Sequence, residues 1–220
     1  MTAAAQIVAP VPARPVIMGD TALRRCVDVT VAIIGMAGAA PLLVVLAAAV
    51  RMTSRGPVLF RQTRVGRNER PFEIWKLRTM IVSAPSAGPL VSGTSDPRIT
   101  RIGSWLRRTR MDELPQLVNL LRGDLTLVGP RPEVSRFIPY YTHTERQMLR
   151  VRPGIIGPGA LLFAAEQAGE LDAVDDPDAH YTGCHLHPRL ALDLDYLAHR
   201  GLRRDLALVA QAVSVCAGGA

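Results

Sequence analysis

Between Asp28 and Arg51 the chain carries a run, Val29 to Val50, without a single charged residue. As a straight helix this run would cover about 33 Å at ~1.5 Å per residue, enough to cross the hydrocarbon core of a bilayer. Two features weigh against a simple crossing. Pro41 sits inside the run, where a missing N–H and a ring clash kink or break a helix. Basic residues also flank both ends, Arg24 and Arg25 before it and Arg51 and Arg55 after it. The tendency of such residues to stay on the cytoplasmic side asks for both flanks there. A re-entrant helical hairpin over residues 21–52, broken at Pro41, meets both demands, whereas an ordinary transmembrane anchor meets the length alone. From the residues the two readings stand level. Residues 1–20, rich in Ala, Pro and Val, read as a flexible leader. A secretory signal fits poorly, because Arg14 is the only charge before Asp20 and the apolar run starts too late.

Net charge decides which partners are plausible. It is +7, and among the 26 basic residues Lys76 is the only lysine. Arginine's planar fork suits phosphate, so anionic lipid headgroups and phosphorylated substrates fit. Nucleic acid does not: aromatics make up 5 % of the chain, and no stacking pattern accompanies the basic residues. Cys26, Cys184 and Cys216 are odd in number and scattered, which reads as reduced thiols and not as a disulfide frame.

The remainder, residues 53–220, reads as one domain. Gly66 to Asn68 is a turn, Phe72–Leu77 alternates like a strand, and residues 83–97 form a loop. Ser104 is placed to cap a short helix through Arg108. Asp112 reads as the N-cap of a second helix with Pro115 in its first turn. Leu114, Leu117, Val118 and Leu121 form the apolar face of that helix, and Gly123 ends it. After Leu125–Val128 comes a stiff turn, Gly129-Pro130-Arg131-Pro132, and Arg152–Gly154 opens another loop. Leu202, Leu206, Val209, Ala210 and Val213 share a helical face, suited to core packing or to a membrane surface.

Chemistry points first to Asp112 and Glu113. Acids at a helix start are common for purely structural reasons. Beside Arg107, Arg108 and Arg110, however, a carboxylate stays ionised and can recruit Mg²⁺ or attack phosphorus. Arg107 can clamp phosphoryl oxygens through paired hydrogen bonds. Arg131, locked between Pro130 and Pro132, is presented with little entropy left to lose. Lys76 and Arg78, at a strand end, are further candidate phosphate contacts. His180, His185 and His187, with Cys184 among them, match no common zinc spacing and read as surface residues. Neither a P-loop nor a dinucleotide fingerprint is present.

A series of segments then carries a resemblance. These are Gly56-Pro57-Val58-Leu59-Phe60-Arg61-Gln62, Val65-Gly66-Arg67-Asn68, Lys76-Leu77-Arg78-Thr79-Met80, Asp112-Glu113-Leu114-Pro115-Gln116-Leu117, Leu127-Val128-Gly129-Pro130-Arg131-Pro132-Glu133 and Val151-Arg152-Pro153-Gly154-Ile155. With them the chain resembles the bacterial sugar transferases of the monotopic phosphoglycosyl transferase type, from about Asp20 to Val213. The resemblance implies an α+β fold: a re-entrant membrane helix, a compact and mostly helical globular domain, and amphipathic helices along the interface. It implies transfer of a sugar 1-phosphate from a nucleotide-sugar donor, with uridine the expected base, to polyprenyl phosphate. Asp112 would be the nucleophile, Glu113 its partner, and Mg²⁺ would sit at the pair. Arg107 would bind phosphate, and Pro130, Arg131 and Pro132 would contact the nucleotide. The expected location is the bacterial inner membrane among its lipids, with the site on the cytoplasmic face. Oligomeric state stays open, a homodimer included. Ala164 stands where many relatives carry a basic residue. That departure keeps a catalytically idle scaffold of the same fold as the alternative.

Overall fold

The computed structural model describes residues 19–82 and 88–218, with backbone alone at 163–168 and 216–218. The leader over 1–18 and loop residues 83–87 lie outside the described residues. So do the side chains of Ala164 and Cys216. The fold mixes helix and sheet, with one long apolar helix near the N-terminus. That helix, α1, spans Ala22–Thr53, 32 residues, and carries Pro41 inside it. The expected interruption at Pro41 is therefore not an end of the element. Its most apolar window has a mean hydropathy of 2.4 and is 11 % buried, unlike the core helix of a soluble protein.

Both ends of α1 rest on the same globular body. Near its start, Arg25 donates to the carbonyl oxygens of Leu120 and Leu121, each at 2.6 Å. These belong to the last turn of α3, Gln116–Arg122, where free carbonyls and the helix dipole favour a cation. Asp28 accepts from Thr126 Oγ1 and Leu127 N, and Arg24 pairs with Asp205 at 2.6 Å. Near the other end, Leu46 and Val50 pack with Leu77 and Leu106 into an apolar cluster. Leu46 is 4 % exposed and Val50 fully buried, which contributes about 1.5–3 kcal/mol each. Ser54, the C-cap of α1, accepts two hydrogen bonds from Arg78 at 2.8 Å. Between these contacts Ile33, Ile34, Leu42, Val44 and Val45 are exposed.

Strands β1, Leu59–Val65, and β2, Pro71–Leu77, form an antiparallel hairpin. Short strands β3, Thr126–Val128, and β4, Gly154–Ile156, pair in parallel. The Arg152–Gly154 segment, expected as loop, thus leads directly into a strand. Gly129 and Gly154 meet so closely that a Cβ on Gly154 would lie 2.1 Å from Gly129 N. That contact fixes where the Pro130–Pro132 turn leaves β3. The main core gathers Phe137, Tyr141, Met148 and Tyr181 with Leu186, Leu190, Leu194 and Leu197. The four leucines come from α6, Leu186–Ala198, which packs on α4, Pro158–Leu171.

Two helix starts differ from the sequence reading. Helix α2, Arg101–Arg108, is capped by Thr100, whose Oγ1 accepts from Gly103 N, and not by Ser104. Asp112 does not cap α3. It lies in a separate 3-10 turn, Met111–Glu113, which follows Arg110 in the left-handed conformation at φ 57°. An Asp112 cap would have served the N–H groups two and three residues on, and Pro115 has none to give. The proline separates turn from helix and leaves the carboxylate unused. Gly123 does end α3, at φ 86°. The last helix, α7, covers Leu202–Gly218. Leu202, Leu206, Ala210 and Val213 form an exposed apolar stripe along it, while Leu208 and Val209 pack against the core.

Candidate active site

The Met111–Glu113 turn brings two acids to a common point beneath three cations. Glu113 Oε1 lies 2.7 Å from Lys76 Nζ, at the end of β2, and 3.4 Å from Arg131 Nη2. Burial alone would raise the Glu113 carboxyl. Lys76 first, then Arg131 and Arg110, overcome that and hold it well below the usual carboxylate range. Asp112 behaves oppositely. It is 6 % exposed, and among the described residues no hydrogen bond reaches its carboxylate. Burial pushes its pKa up, and the neighbouring Glu113 charge adds to this against the pull of Lys76, Arg107 and Arg131. Two adjacent acids thus carry divergent proton affinities, the arrangement that assigns different roles to paired carboxylates. The strain of a left-handed arginine before them, roughly 1–2 kcal/mol, is the kind that accumulates at functional sites.

The supporting shell is built from every part of the domain. Arg107 on α2 donates to Thr79 Oγ1 at 2.9 Å and to Ser92 Oγ at 3.0 Å. Arg131 is presented by a loop whose next residue but one, Glu133, is buried. Glu133 accepts from Tyr181 Oη at 2.6 Å and pairs with Arg189 and Arg64. Asp193, also buried, accepts from Gly159 N and interacts with the Arg131 backbone N–H. Asn119, fully buried on α3, accepts from Trp75 N at 3.1 Å and donates to the Glu73 carbonyl at 2.7 Å. It pins the helix after the dyad to the strand that carries Lys76.

Of the residues singled out in the sequence, Asp112, Glu113, Lys76, Arg107 and Arg131 converge, with Pro130 and Pro132 flanking the last. Arg78 reaches the end of α1: it is 5 % exposed, and its Nη2 donates to Ser54 while its buried Nε and Nη1 have no hydrogen-bond partner among the described residues. His185, read as a surface residue, is buried at 5 % exposure. Sequence reasoning missed Asn119, Ser92, Glu133 and Asp193. Only Glu133 carried a signal, as the next residue in the Pro-Arg-Pro segment. A cleft of about 440 Å³ lined by Arg67, Arg70, Phe72 and Arg152 holds none of the predicted site residues.

The sequence that builds this fold and this acid pair is that of a bacterial sugar transferase. The sequence profile of that family matches residues 19–219, and the chain belongs to it. The undecaprenyl-phosphate glucose phosphotransferase of Komagataeibacter xylinus is 38 % identical over 209 residues, 89 % of this chain and 36 % of that protein. The UDP-glucose:undecaprenyl-phosphate glucose-1-phosphate transferase of Caulobacter vibrioides is 38 % identical over 193 residues, 86 % of this chain and 68 % of that one. Its namesake in Escherichia coli K12 is 35 % identical over 190 residues, covering 85 % and 38 %. The chain spans between about a third and two thirds of these relatives' lengths.

Proposed function

We propose that this chain transfers a sugar 1-phosphate from a UDP-sugar to undecaprenyl phosphate through a covalent intermediate on Asp112. The single observation that carries the reading is the divergence within the acid pair: Glu113 Oε1 is engaged by Lys76 and Arg131, while Asp112 is buried, without a hydrogen bond among the described residues, and free to react. An Asp112 carboxylate oxygen bonds to the β-phosphorus, and the bond from that phosphorus to the bridging oxygen breaks. UMP leaves with the electron pair. An oxygen of the acceptor phosphate then attacks the same phosphorus and displaces Asp112, forming the diphosphate-linked sugar. Arg107 and Arg131, with Lys76 behind them, face the charge that develops on the phosphoryl oxygens. Glu113 keeps Lys76 and Arg131 in register and orients the incoming acceptor.

Mg²⁺ fits the donor set. Asp112 offers hard oxygen ligands with no competing hydrogen bond, and a divalent cation would offset the burial that now raises its pKa. Asp112 and Glu113 would hold it, and when bound it would neutralise the diphosphate. The test is UMP release in detergent with Mg²⁺, undecaprenyl phosphate and a panel of UDP-sugars, followed against pH. Release is expected with one or a few donors. Because only ionised Asp112 attacks, and Mg²⁺ at the pair would offset the burial that raises its pKa, lowering Mg²⁺ should move the acid limb of the profile to higher pH. An acid limb that does not move as Mg²⁺ is lowered, or no release with any donor, counts against the assignment.

We further propose that α1 is re-entrant and that the site faces the cytoplasm at headgroup level of the inner membrane. Docking of both Arg25 and Val50 on one globular body supports this, because a crossing helix would carry one end to the far side. The exposed apolar residues of α1 and the Leu202–Val213 stripe of α7 supply a surface to lie in lipid. Single cysteines at Leu23 and Met52, in a background without native cysteines, should react with an impermeant reagent only from the cytoplasmic side. Labelling from opposite sides would establish a crossing instead.

A further inference from the structure

Outside the dyad, three metal-ligating side chains converge at the end of α4. Glu170 Oε2 lies 3.0 Å from His185 Nε2 and 3.5 Å from His180 Nε2. One ligand atom from each of the three falls within 4.8 Å of the others. Ligands about 2.0–2.1 Å from a tetrahedral zinc are separated by roughly 3.3 Å, which those two distances bracket. The spacing of the histidines hides this in the sequence. On an α-helix, residues five apart point about 140° away from each other. Here α5, Pro177–His180, runs into a π-turn over Tyr181–His185, closed by Leu186 N–H donating to Tyr181 O. Its wider loop brings residues five apart onto one face, and the two imidazole centroids stand 5.1 Å apart. Single π-turns recur at functional sites. Side-chain exposure grades from 6 % at His185 through 26 % at His180 to 56 % at Glu170, which leaves one side open to solvent for a fourth ligand.

We propose that Glu170, His180 and His185 bind a zinc-type divalent transition metal, with water completing the shell. Imidazole donors select such ions over Mg²⁺, which prefers oxygen, so the site is chemically distinct from the dyad. Its place in the fold gives it a task. Asp172, which caps the end of α4, accepts from Thr94 and Ser95. Asp178 on α5 accepts from Leu90 N and Val91 N. The segment carrying Ser92, and through it Arg107, therefore hangs from the two elements that the ion would join. The metal braces the mount of a phosphate-site arginine without touching the chemistry.

The test uses the full chain in detergent, freed of any affinity tag and stripped with a chelator, in buffer with excess Mg²⁺. Zinc is titrated against a chromophoric chelator, and thermal unfolding is followed with and without zinc. One zinc per chain should bind and raise Tm. Glu170→Gln, at an exposed position, and His180→Ala should each weaken binding by more than about a hundredfold, beyond what loss of a supporting contact costs. Both should lose the Tm shift. Cys184→Ser and Asp112→Asn should bind zinc as the parent does. No stoichiometric zinc, undiminished affinity in Glu170→Gln and His180→Ala, or loss of binding in Cys184→Ser or Asp112→Asn would each overturn the proposal.

Discussion

Asp112→Asn should release no UMP above background, a loss of about three or more orders of magnitude in turnover, as expected when a covalent nucleophile is removed. The amide keeps the size of the side chain and the 3-10 turn, so folding should survive. Incubated with donor alone, the parent chain should gain the mass of a sugar phosphate, located at Asp112 by peptide mapping. The variant should gain nothing. Turnover in Asp112→Asn within tenfold of the parent would remove the covalent reading. So would a parent chain that turns over yet never carries the added mass. The expectation rests on geometry more than on the identity of the residue. Pro115 denies Asp112 a capping role, and among the described residues no hydrogen bond occupies its oxygens.

Lys76→Met should destabilise the fold by about 3–5 kcal/mol near neutral pH, because it strands Glu113 with only the longer Arg131 contact. The sign with pH follows from the depressed Glu113 pKa. In the parent its ionised form contributes stability above the ordinary value of 4.5, and this is lost only as pH falls far below that. In Lys76→Met the carboxylate has lost its main offset and its pKa rises. The deficit is then largest at neutral pH and shrinks as pH drops through the carboxylate range. Adding Glu113→Gln to Lys76→Met should recover part of the loss, since no charge is left stranded. Unfolding curves of the parent, both single variants and the double variant at two pH values check this. A deficit under about 1 kcal/mol, or one independent of pH, would mean that solvent or another cation already serves Glu113.

How much of this was legible in the sequence depended on whether each contact left a local trace. Strand β2 was visible because Phe72–Leu77 alternates. Its partner β1 was not, since its inward positions include Gln62 and Arg64 and hydropathy shows no period there. Arg64 tolerates that position because Glu133 lies 3.7 Å away, a partner remote in the chain. The acid pair and Arg131 could be read from their own segments. The role of Asn119 could not, because one polar residue on an apolar helix face gives no sign that it will meet the backbone of a strand. Arg78, two residues after Lys76, donates to Ser54 at the end of α1, a contact that no local pattern announces. The Glu170–His180–His185 cluster was hidden by its spacing, which becomes sensible only with the π-turn.

The seating of α1 has an implication for how this chain can be handled. A detachable tether could be trimmed to yield a soluble catalytic piece, but this one cannot. Cutting before Ser54 would uncover Leu77 and Leu106 and strip the counter-charge from the last carbonyls of the helix that follows Asp112. The apolar segment is part of the body on which Asp112 sits, and a preparation without it should be judged as a different object.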